Sequence, residues 1–187
     1  MGIAIADAIC AEDIGQIEEY FRQTPEQIDV HTFMGGQTWL GYACQKGMLQ
    51  SARKMIELGF NINMLDREGA TPINSAAAHG NSEVVRHLID SGAELDFPTP
   101  VGNPLFGAVQ GKSVEIAEML LDAGIDPLAV YNTDRYSEMD AVGYAIMWGQ
   151  AEIARVIAER IAKGDQVMVE KLLANGHETA ERNSRST

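Results

Sequence analysis

The sequence predicts an all-α solenoid of stacked helix-turn-helix units, and three observations predict it. Glycines recur at a fixed interval: Gly36 and Gly69, Gly47 and Gly80, and Gly59 and Gly92 lie 33 residues apart, and Gly92 and Gly124 lie 32 apart. Apolar residues between them fall at helical spacing, as in Val84, Val85, Leu88 and Ile89. Ala43, Ala76, Ala108 and Ala145 mark one recurring position where neighbouring helices must approach closely. A period in this range belongs to repeat architectures, in which one unit cannot bury its own apolar face and the stack supplies the core. Such stacks present extended surfaces that bind other macromolecules.

The elements follow in chain order over a single domain, 1–187. Residues 1–30 form an N-terminal cap: IADAICAEDIGQIEEYF (5–21) reads as an amphipathic helix pair, broken at Pro25. Four repeats follow, 31–63, 64–96, 97–127 and 128–161. The second shows the logic. Thr71 is a candidate N-cap, able to accept from a free backbone N–H. Pro72 suits the first helical turn, where its missing N–H costs nothing. Ile73, Ala76 and Ala77 form an apolar stripe that Gly80 ends. Ser82 is read as capping a second helix, which Gly92 stops in the left-handed conformation. Residues 162–176 make a C-terminal capping helix, with Asp165 as N-cap and Asn175-Gly176 as its end. The tail 177–187 has Ala180 as its one apolar residue and is expected to be mobile.

Thr71-Pro72-Ile73-Asn74-Ser75-Ala76 resembles the T-P-L-H-x-A signature of the ankyrin repeat family, with Asn74 in place of the His. Thr38-Trp39-Leu40-Gly41-Tyr42-Ala43 keeps the Thr, Leu and Ala; Asn103-Pro104-Leu105-Phe106-Gly107-Ala108 keeps the Pro, Leu and Ala; Asp140-Ala141-Val142-Gly143-Tyr144-Ala145 is a weaker fourth copy. No copy keeps the His. The resemblance implies an ankyrin-repeat solenoid with short hairpin-like tips. It also implies a non-enzymatic module that binds another protein through tips and the exposed face of each first helix. By register those positions include Met34, Gly35, Gln37, Asp66, Arg67, Glu68, Thr99 and Pro100 on tips. Gln45, Lys46, Ala78, His79, Gln110, Met147 and Trp148 lie on inner helices.

Trp148 departs from the small or polar residue expected on a groove. It reads either as a binding anchor, since Trp is enriched at hot spots, or as core beneath the last tip. The third connection is also long: Gly124 to Asp140 is 16 residues, against 12 from Gly59 to Thr71. The extra length carries Tyr131, Asn132, Arg135, Tyr136 and Met139. A longer aromatic loop on a rigid scaffold is a common place for recognition, and a tolerated insertion is the other reading.

Charge narrows the partner. Twenty-seven acids against 14 bases give a formal charge of −13. Residues 1–30 carry seven acids against Arg22, and residues 111–140 carry seven against Lys112 and Arg135. Such a field repels phosphate backbones, so nucleic acid is not an expected partner. It would steer a basic protein, such as a toxin or enzyme, to an inhibitory acidic concave face; plain solubility is the alternative. An immunity- or antitoxin-like inhibitor and a regulatory adaptor both fit. No apolar run is long enough to span a membrane, and MGIAIADAICAED lacks a basic leader. A cytoplasmic protein, monomeric when free, is expected.

Catalytic patterns are sparse. His31, His79, His87 and His177 are scattered, and no metal-binding or phosphate-binding motif occurs. No cofactor and no metal site is expected. Cys10 and Cys44 read as buried apolar residues. A small hydrolase using Cys44 and His79 is the alternative from another class.

Overall fold

The computed structural model describes residues 2–32 and 35–185, and among these it is all-helical. Eleven α-helices run in pairs: α1 (Gly2–Cys10) with α2 (Ile14–Gln23), α3 (Trp39–Gln45) with α4 (Leu49–Glu57), α5 (Pro72–Ala78) with α6 (Ser82–Asp90), α7 (Pro104–Gln110) with α8 (Val114–Asp122), and α9 (Ala141–Met147) with α10 (Ala151–Ala162), closed by α11 (Gln166–Ser184). A 3-10 turn at Pro25–Gln27 follows α2. Isolated antiparallel bridges, His31 to Thr38 and Tyr131 to Met139, close two of the tips.

The inner helices α3, α5, α7 and α9 have seven residues each, too short to be stable alone. Capping and packing stabilise them. Thr38, Thr71, Asn103 and Asp140 each accept a hydrogen bond from a backbone N–H of the helix that follows. The inner helices pack in succession, and α2, α4, α6, α8 and α10 form a second layer behind them. Ala43, Ala76, Ala108 and Ala145 are wholly buried between neighbours. Gly111 shows how close that approach is: a Cβ there would lie 2.2 Å from the Ala77 carbonyl oxygen.

Polar side chains stitch unit to unit where backbone groups would otherwise be orphaned. Asn74 stands where the family has His, and its Nδ2 donates to the Asn103 carbonyl at 2.8 Å. That bond ties the second repeat to the third. Asn81 donates to the carbonyls of both Cys44 and Gln45. Asn81 also takes the N-cap place of α6 without a side-chain bond, which corrects the reading of Ser82 as the cap. On the outer loops Asp29, Asn63 and Asp96 accept from the backbone N–H groups of Asn61, Glu94 and Asp126, one unit on.

Two further expectations are corrected. Cys10 is exposed, with its Sγ 3.3 Å from the Tyr42 hydroxyl, whereas Cys44 is buried as expected. The last helix does not end at Asn175-Gly176. α11 continues to Ser184, so most of the 177–187 segment expected to be mobile is helical, with Ser186 and Thr187 outside the described residues. Gly176 sits in this helix because α9 crosses it: a Cβ would meet Val142 Cγ1 at 2.8 Å and Ile146 Cδ1 at 2.9 Å. Thr179, Ala180 and Asn183 are buried beyond it.

Candidate functional site

The exposed faces of the inner helices and their tips enclose an open groove of about 600 Å³. Its floor is polar. Gln37 donates to Gln45 Oε1 at 3.0 Å, and Gln45 Nε2 lies 3.3 Å from His79 Nε2. His79 Nδ1 is 2.9 Å from the Ser75 carbonyl. The tautomer that satisfies both bonds carries its proton on Nδ1, so the ring accepts from Gln45 and donates to Ser75. This relay holds three side chains in fixed orientations along the floor.

The far wall is aromatic. Tyr144 is its keystone, 3% exposed, with its ring centroid 4.7 Å from Phe106, 5.9 Å from Tyr136 and 5.7 Å from Trp148. Its hydroxyl accepts from Gln110 Nε2 at 2.9 Å, and the Gln110 side-chain oxygen has no hydrogen-bond partner among the described residues. Burial raises the pKa of Tyr144, so it stays a neutral phenol. Trp148 caps α9 and is 46% exposed, so it is a groove residue and not core. The Arg135 guanidinium lies 5.6 Å above the Tyr136 ring in a cation–π arrangement.

The structure sorts the expected site residues. Gln45, Glu68, His79, Gln110, Arg135, Tyr136 and Trp148 all line this groove. Arg67 is not among the lining residues, and its aliphatic stem covers Gly36. Lys46 lies over the Tyr42 ring at 5.7 Å, and Met147 packs partly against the core. Tyr131 is a correction. It is 7% exposed, its hydroxyl accepting from Asn103 Nδ2 at 2.8 Å and donating to the Phe97 carbonyl at 2.9 Å. The Tyr131–Met139 bridge draws it inward, so it buttresses the long loop and does not line the groove. Met34 lies outside the described residues. Tyr144 was missed among the candidates, although it shares the register of Tyr42 directly before the recurring alanine.

The acid is not where a concave acidic face would need it. Glu115, Glu118 and Asp122 lie on α8, in the second layer, where Arg86 and Arg160 approach Glu115 and Asp122 at 3.8 and 2.6 Å. The groove lining itself holds Asp66, Glu68 and Arg135. Asp66 Oδ1 folds its own loop by accepting from Glu68 and Ala70.

Burial separates the imagined Cys44–His79 pair. Cys44 is fully buried and burial pushes its thiol pKa up, whereas His79 is exposed and committed to the Gln45–Ser75 relay.

Comparisons with known proteins agree with this architecture. The family model described as ankyrin repeats (3 copies) matches residues 8–99 and 40–131. Protein phosphatase 1 regulatory subunit 12A of Mus musculus is 32% identical over 78 residues, 42% of this chain and 8% of that protein. An ankyrin repeat protein of Rickettsia felis is 36% identical over 91 residues, 46% of this chain and 40% of its own length. The chain thus spans less than half of either relative. The crystal structure of the human ASB11 ankyrin repeat domain superposes with a TM-score of 0.65 at 18% identity, covering 92% of this chain and 82% of that one.

Proposed function

The chain belongs to the ankyrin repeat family, and from that premise we propose that it acts without catalysis, inhibiting or regulating one partner protein held in the aromatic groove. Ankyrin repeats are protein–protein interaction modules, and no helix among the described residues is long and apolar enough to cross a membrane. The observation that carries the reading is Trp148: a large aromatic side chain, half exposed, held on a rigid inner helix by Tyr144 and bordered by the ordered long loop. Aromatic anchors of this kind dominate interface energetics, and a preorganised one loses little entropy on binding.

Inhibition would be steric, with the groove and the 128–139 loop covering the partner's working surface. An immunity- or antitoxin-like role against a basic toxin enzyme is the sharper form of this reading, supported by the charge of −13. A cytoplasmic monomer is the matching free state. The test is affinity capture followed by mass spectrometry with wild type and Trp148→Ala side by side. A partner retained by the wild type and lost by the variant is expected. Equal retention by both would move recognition away from the groove.

A further inference from the structure

We infer that the groove is charge-polarised along the stack and selects an extended partner segment bearing a basic and an acidic residue about five or six positions apart, in one chain order. This rests on the protein-binding reading and names the chemistry of what is bound. The two ends of the groove differ in sign. Glu68, on the tip before α5, is exposed, and its carboxylate makes no ion pair among the described residues. Asp66 beside it keeps its second oxygen out of the loop's own bonds. Arg67, between them in sequence, lays its aliphatic stem over Gly36 and is not among the residues that line the groove. Arg135, on the tip before α9, is exposed and also lacks a carboxylate partner among the described residues; its guanidinium is held only by the Tyr136 ring. Most other arginines of the chain are paired, including Arg22, Arg86, Arg155, Arg160, Arg182 and Arg185. In a chain so rich in acid, an arginine left without a carboxylate and aimed into the groove is the exception. An unpaired anion and an unpaired cation in one groove complement a ligand carrying both signs.

The spacing follows from the stack. Glu68 and Arg135 precede inner helices two packing steps apart (α5 to α7 to α9), and packed helices lie about 8–10 Å apart, so the two tips are separated by roughly 16–20 Å. An extended chain covers about 3.3–3.6 Å per residue, which makes this span about five or six residues. Between the ends the floor offers His79 and the side-chain oxygen of Gln110 to a peptide backbone, and Pro100 and Val101 line the groove from the tip before α7. Trp148 stands beside the cationic end, so an apolar or aromatic ligand residue next to the acidic one completes the pattern. Amides on the floor can meet either backbone group, and the charges set the direction.

The experiment is selection of octapeptides from a random display library on the full-length protein, followed by titration of the synthetic winners. Trp148 fluorescence is the readout, the other tryptophan, Trp39, being buried. The expected winners carry one basic and one acidic residue about five or six apart in a single order, and peptides with the order reversed bind about tenfold more weakly. The double variant Glu68→Lys with Arg135→Glu should prefer the reversed order. Both positions are exposed tip residues, and circular dichroism with an unchanged melting curve will confirm that the variant folds. Winners without the charge pair, no winners at all, or an unchanged order preference in a folded double variant would overturn the inference. Loss of a captured natural partner on Trp148→Ala, together with indifference to the charge swap, would overturn the polarity alone and leave the groove as the binding site. Capture unaffected by either change would remove the groove reading itself.

Discussion

At the scale of single residues, Trp148 and Cys44 are opposites, and burial decides what each can do. Trp148 contributes little to the core, so Trp148→Ala should leave the melting temperature nearly unchanged while weakening partner binding by about 2 kcal/mol or more. Equal losses in stability and affinity would return the side chain to a packing role. Cys44 is sealed and its thiolate disfavoured, so thiol-reactivity profiling of the native protein should label Cys10 quickly and Cys44 only on unfolding. Gly111 tests how tightly adjacent units pack. Its missing Cβ makes room for the Ala77 carbonyl, so Gly111→Ala should cost about 1–3 kcal/mol in denaturant unfolding despite improving helix propensity. His87 adds a pH dependence. Desolvation lowers its pKa below the ordinary 6.5, and its Nε2 is buried without a partner. A depressed folded-state pKa favours the neutral ring, so its contribution is present above pH 6.5 and is lost as pH falls through the folded value. His87→Gln should flatten that limb of the stability profile.

At the scale of elements, the repeats were legible because their determinants are local. Thr71, Pro72 and Gly80 start and stop α5 by backbone chemistry that needs no neighbour, and Thr38, Asn103 and Asp140 repeat the same cap. The end of the last helix was misread because its determinants are tertiary. Asn175-Gly176 has the chemistry of a helix stop, yet Gly176 serves the close crossing with α9. Beyond it Asn183 donates to the carbonyls of Ser137 and Thr179 and accepts from the Ser137 N–H, tying α11 to the long loop. Two polar residues, Thr179 and Asn183, and one alanine therefore hold what composition alone reads as a free tail. Tyr131 was misread for the same reason, since nothing in its neighbours reveals the bridge to Met139. Removing 178–187 should accordingly lower the melting temperature by about 5–10 °C, the loss of roughly 2–3 kcal/mol in a chain of this size. It should also loosen the loop that carries Arg135 and Tyr136. A truncated protein with the wild-type transition would show that α11 contributes nothing past Gly176.

At the scale of the whole molecule, steering and holding are assigned to different surfaces. The carboxylates of α8 and α10 lie in the second layer, away from the groove, so they act on a partner only through their long-range field. That field decays over about 10 Å at 0.1 M salt. Glu118 and Glu152 are exposed and make no ion pair among the described residues, so reversing both to Lys changes the field without breaking an internal bond. Against the identified partner this double variant should slow association severalfold at low salt, leave dissociation unchanged, and lose its effect as salt is raised. Tyr136→Ala should do the reverse. It removes a short-range contact made after docking, so dissociation should quicken while association holds. The pair of variants separates a field from a contact in one set of surface-binding kinetics at two ionic strengths. An on-rate indifferent to both the Lys reversals and salt would reduce the charge of −13 to solubility and sink the basic-partner reading. A Tyr136→Ala variant that dissociates like wild type would leave the aromatic wall without a role in holding the partner.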